Sequence, residues 1–345
     1  IRRPPPPPLH ATRRQRQMCI RDSNTSVGED TSSSYGGAGS GGGLALRRVT
    51  NATLEHITFE GNEARGGTGQ DRGGYGIGGG LYTYRSVVSG RYITFTNNIA
   101  MGGSTSGSGR APDGQRADAF GAGASIQEYC DVTLQYVSAT NNQTIGGHAS
   151  TYAGGAFGGA LKVEKATLEL IDADLRQNLA QGGQARNGYL GNGGGLEAID
   201  SDVTLDRVAI IGNTARGGDG TSGDKGPAGG GGINSTWISS GYYALLSISN
   251  SIIADNVAEM GAGVNVTGGG GGGIWVQATE ADIVHTTVAR NRVDSPMQGQ
   301  GILLIEAGSR GATADVSHSI VADHTGFGSN VAALHVKPGN TVNLQ

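Results

Sequence analysis

Asp172 and Asp174, and again Asp200 and Asp202, stand two residues apart, which on a strand points both carboxylates to one face. Paired carboxylates can divide acid/base work at a glycosidic bond, one giving a proton while the other activates water or attacks. Neither pair recurs in the adjoining repeat, so turn or solvated placement is expected and no catalytic residue is assigned. His285 and His318 fall at equivalent places in successive repeats, near enough in principle to share a metal ion. Their column otherwise reads His56, Tyr92, Tyr136, Asp172, Arg207 and Asn250, a mixed set that fits a solvated outer face. Gly66-Gly67-Thr68-Gly69-Gln70-Asp71 matches the calcium-loop unit G-G-x-G-x-D. Such sites need successive nonapeptides, and Gly217 to Asp224 is spaced differently, so no metal or cofactor is assigned. Gly74 to Gly79 satisfies G-x-G-x-x-G, a chance match in so glycine-rich a chain with no helix following. No Gly-x-Ser-x-Gly or Gly-Lys-Ser/Thr motif occurs, and Cys130 is expected to be buried and inert.

Aromatic residues carry a different signal. Tyr35, Tyr75, Phe120, Tyr152, Phe157 and Tyr189 place rings in the first five glycine-rich stretches. Stacked along one edge, Tyr75, Phe120, Tyr152 and Tyr189 could form a ligand-binding stripe suited to sugar rings. The competing expectation is that each ring pins its own loop to the coil beneath by apolar burial.

These residues must be positioned by a repeat. Eight times an apolar residue is followed three positions later by a polar one that opens a glycine-rich stretch: Phe59/Asn62, Phe95/Asn98, Ala139/Asn142, Leu175/Asn178, Ile210/Asn213, Ile253/Asn256, Val288/Asn291 and Val321/His324. Upstream of each lies a glycine run ending in an apolar residue, at Leu44, Leu81, Ala124, Ala160, Leu196, Ile233, Ile274 and Ile302. Marker and Asn are separated by 17 or 18 residues in six of the eight units, so a rigid segment alternates with a variable loop edge. Within the rigid segment the apolar period is two, as in Leu54, Ile57 and Phe59, which predicts strands of about five residues. With 64 glycines in 345 residues, and each glycine in a helix costing about 1 kcal/mol relative to alanine, long helices are excluded. The pattern predicts an all-β chain: a right-handed parallel β-helix of about eight coils, each of two or three strands, with glycine-rich loops on one edge. Coils spaced about 4.8 Å apart would make a rod of roughly 40 Å. Asn62, Asn98, Asn142, Asn178, Asn213, Asn256 and Asn291 are expected to turn a corner, since Asn tolerates left-handed φ and its amide can bond the next coil.

Residues 1–23 do not follow the repeat. They carry five consecutive prolines and a basic tract, and Met18 to Ser23 resembles the translated end of a sequencing adapter. They are expected to be non-native or disordered, leaving 24–345 as a single β-helix domain cut at both ends. Without that segment's six arginines and one aspartate, 19 basic and 28 acidic groups remain, a net charge of about −9. An acidic rod repels phosphate, so nucleic acid is not an expected partner. No apolar run reaches the roughly 18 residues of a membrane-spanning helix.

Gly158-Gly159-Ala160-Leu161, taken with Phe59-Glu60-Gly61-Asn62 and Phe95-Thr96-Asn97-Asn98, resembles the GGA[ILV]…FxxN repeat of polymorphic outer membrane proteins. More broadly it is similar to bacterial right-handed β-helix surface proteins, over residues 24 to about 330. The resemblance implies an extracellular or cell-surface passenger in an adhesive or structural role, facing a polysaccharide, host or matrix partner. A polysaccharide lyase or hydrolase on the same fold is the alternative, because fold alone does not fix function.

Overall fold

In a computed structural model the described residues are 18–21, 23–32, 34–105, 107–109, 116–238, 244–265, 268–294, 299–326 and 332–345. Among them there is no helix, and the strands form four sheets paired in parallel throughout. Each sheet collects one strand from successive repeats, so the chain visits the sheets in turn and then pairs with itself one repeat earlier. This architecture is consistent with a parallel β-helix. One turn of the pattern is Gly76–Ile77, Leu81–Tyr84, Val87–Thr96 and Ile99–Met101. The structure thus uses four strands where the periodicity predicts two or three. The extra one, inside the glycine run, forms where the backbone packs closely: a Cβ on Gly76 would lie 2.2 Å from the Met101 carbonyl oxygen.

Left-handed residues set the corners at fixed steps. Gly158, Lys165, Asp172 and Gln177 are followed one repeat later by Gly193, Asp200, Arg207 and Gly212. Outside glycine this conformation costs about 1–2 kcal/mol per residue, so pairing on both flanks must hold it. The long strands fold at one such residue: Tyr92 has φ 57°, and the register runs Arg91 to Gln135, then Ile93 to Val137.

The interior is built from inward-facing ladders. Phe59, Phe95, Ala139, Leu175, Ile210, Ile253 and Val288 form one column of fully buried residues in direct register, continued by Val321. The Phe59 and Phe95 rings stack at 5.1 Å. Register also corrects one marker, because Leu161 rather than Ala160 lies level with Ala124 and Leu196. Ala160 occupies the place of the last glycine. Met18–Arg21 pairs with Ile57, Thr58, Phe59 and Glu60 through the backbone. A terminal strand's free N–H and C=O groups accept an extended neighbour readily. Residues 1–17 and Asp22 lie outside the described residues. Among the described residues no helix is long and apolar enough to cross a membrane.

Candidate functional site

The seven asparagines form one buried column. From Asn62 to Asn256 each Nδ2 donates to the Oδ1 of the next at 2.9–3.0 Å. From Asn98 onward each Nδ2 also donates to the carbonyl of the apolar residue one repeat back, from Phe59 to Ile253. Each Oδ1 from Asn98 to Asn291 further accepts the backbone N–H of the asparagine before it. Shut off from solvent and engaged on both sides, the column ties successive repeats together. The left-handed φ expected of these asparagines belongs instead to the residue before each, Gly61, Asn97, Asn141, Gln177, Gly212, Asp255 and Arg290. The reversal there turns the following side chain inward, where the amide ladder needs it.

The acid pairs do not converge. Asp172 binds Arg207 Nε at 2.6 Å, and Asp174 binds Arg176 Nε. The Arg207 hydrogen bond holds Asp172 below the usual carboxylate range. Buried Asp200 accepts the Ile238 N–H at 2.7 Å, while Asp202 is exposed. His285 and His318 are exposed, with ring centroids 5.1 Å apart. Among the described residues no three His, Cys, Asp or Glu side chains gather as a metal ion would need. Cys130 is a buried free thiol.

Of the six predicted aromatic residues, Tyr35 shares the Arg72 guanidinium with Tyr75, at 5.2 and 4.7 Å from its Cζ, and the other five divide into two groups. Tyr75 and Phe120 lie 5.7 Å apart, and Phe120 and Phe157 continue the run at 5.7 Å. Tyr152 and Tyr189 meet on the Arg116 guanidinium, at 5.0 and 3.8 Å from its Cζ. A second stack lies on the left-handed outer column, His56 on Tyr92 at 4.6 Å and Tyr92 on Tyr136 at 4.9 Å.

The most distinctive feature is a column the motifs did not mark: Lys162, Glu197, Asn234 and Trp275, level in successive strands. Strand alternation aims these side chains away from the core, since Leu161 and Val163 face it, yet Lys162, Glu197 and Asn234 are buried. Their cover comes from a concave corner. Gly193 has φ 62°, and a Cβ there would meet the Leu196 carbonyl oxygen at 2.5 Å. That fold brings the two-residue strand and its loop over the neighbouring sheet. The resulting groove encloses about 500 Å³ and is lined from four successive repeats, with Phe157, Tyr189 and Trp275 as rings and Glu197, Asn234 and Gln277 as polar groups.

Lys162 and Glu164 lie outside the groove's lining and act on it from the neighbouring strand. Lys162 Nζ is paired with Glu164 and sits 3.8 Å from the Phe120 ring centre. Burial works to raise Glu164, but the Lys162 ammonium holds it below the ordinary range. Glu197 Oε1 accepts Asn234 Nδ2 at 3.0 Å, while its Oε2 is buried without a partner. Desolvation pushes this carboxyl up to about 8 against the opposing pull of Asn234 and Lys162, so it is neutral at pH 7. Trp275 Nε1 is likewise buried and unpartnered. The groove therefore presents rings, amides, an acid O–H and an indole N–H. No family model matches this chain, and no curated protein matches it.

Proposed function

We propose that the chain is a right-handed parallel β-helix of about eight coils, serving outside the cell as a non-enzymatic, adhesin-like or structural scaffold. Its glycine-rich edge engages an elongated partner, a polysaccharide or a host or matrix surface. The observation that carries this reading is a groove whose lining is drawn from four successive repeats, a shape suited to a partner lying along the stack. Placement at a bacterial surface rests on the likeness of the GGA[ILV]…FxxN units to surface passengers. A polysaccharide lyase or hydrolase is the second reading, favoured by Glu197, a carboxyl still protonated near neutral pH beside Lys162. Incubating the chain with neutral and acidic polysaccharides separates the two. The scaffold reading expects retention on the polymer without new reducing ends or unsaturated products. Product formation abolished by Glu197→Gln would replace it with the enzyme.

A further inference from the structure

We propose that the concave groove is a subsite for one neutral saccharide unit, seated between Tyr189 and Trp275 and hydrogen-bonded by Glu197, Asn234 and Trp275 Nε1. This rests on reading the molecule as a polysaccharide-binding scaffold, and it names the chemistry that the scaffold selects. Two buried polar atoms there have no partner, Glu197 Oε2 and Trp275 Nε1. Glu197 Oε1 already accepts from Asn234, so the acid proton resides on Oε2, and the indole nitrogen only donates. Both orphans are donors, and the ligand that satisfies them must bring acceptor oxygens. Sugar hydroxyl and ring oxygens do this, and the C–H faces of a sugar ring suit the aromatic walls. An organic ammonium brings no acceptor. A uronate brings negative charge, and the groove's lining includes no Lys or Arg, Lys162 being paired with Glu164.

Gly229 shapes the floor. A Cβ there would lie 2.8 Å from Trp275 Cε3 and 3.2 Å from Asn192 Oδ1, so the indole packs on bare backbone. The φ of Gly229 is not left-handed, and alanine would displace the indole without straining the chain.

The test uses the full chain carrying Trp237→Phe, which leaves Trp275 as the one fluorescent indole of the two. Cellopentaose, xylopentaose and mannopentaose are titrated beside pentagalacturonate and tetramethylammonium, following fluorescence and heat. At least one neutral pentaose is expected to bind and shift Trp275 emission. Asn234→Ala and Gly229→Ala should each weaken it by about tenfold with the far-ultraviolet dichroism unchanged. Lys162 and Glu164 are the charged groups acting on Glu197, and Glu164, which burial works to raise, is held below the ordinary carboxylate range by Lys162. Binding should accordingly fade above about pH 8 in the parent and persist in Glu197→Gln, whose amide still donates. Binding of tetramethylammonium or pentagalacturonate alone, of no pentaose, or with affinity unchanged in both variants overturns the subsite. Polymer retention that survives these variants leaves the scaffold standing without this subsite, whereas loss of all retention by the parent removes the scaffold reading itself.

Discussion

Glu197 keeps its proton where an exposed glutamic acid would lose it, because its strand neighbours and the overlying glycine-rich turn exclude water from the carboxyl. The unfolded chain releases that proton near pH 4.5, the folded chain near about 8, so the unfolded state binds fewer protons between those values. Stability contributed at this site therefore falls as pH rises through that window and levels off above it. The loss is on the order of 3–5 kcal/mol. Glu197→Gln should cancel this slope, so the stability difference between variant and parent widens in the variant's favour from pH 5 to 8, as read from urea midpoints. A parallel pH profile in the two proteins would place the carboxyl in water. A glutamate between Leu196 and Ala198 looks like an ordinary outward residue of an alternating strand, which is why its identity alone carried no functional signal.

At the scale of the element, the asparagine ladder is a buried polar column bonded on both sides. Asn178→Ala strips the acceptor from the Asn142 N–H and Nδ2 and a donor from Asn213 Oδ1, all buried. Leaving such groups unpaired is expected to cost about 2–4 kcal/mol, against less than about 0.5 kcal/mol for exposed Ser89→Ala. Chemical denaturation of both variants checks the contrast, and equal midpoints would remove the ladder's role. The recurrence of Asn three places after an apolar residue was legible as one column, because a period-two strand ending at a fixed polar residue must stack in register. Its φ was not, since any of the residues around a corner can take the left-handed turn. Here the side chain that must point inward is Asn, so the residue before it turns.

Across the whole molecule each repeat contacts its neighbours through the same columns, so stability should follow nearest-neighbour rules. Leu179 and Thr214 are level in adjacent strands. Deleting residues 179–213 should therefore join Asn178 to Thr214 with every ladder still paired. The shortened chain is expected to keep its strand dichroism per residue and a cooperative transition while losing the groove along with Tyr189 and Glu197. Deleting 179–196 instead removes half a turn and should abolish cooperative unfolding. Equal behaviour of the two deletions would contradict a register-locked stack.

The sequence by itself determined the repeat, the absence of long helices among the described residues, the apolar column from Phe59 to Val321 and the Asn column beside it. Each of these follows from local periodicity, which survives in one dimension. Only the tertiary structure decided which outward residues are covered. Lys162, Glu197, Asn234 and Trp275 are brought level by pairing across some 35 residues of chain or more, and enclosed by a concave glycine corner. Burial, and the protonated carboxyl that burial creates, are properties of neighbours rather than of residue type. That physical fact separates the scaffold, written plainly in the chain, from the groove it encloses.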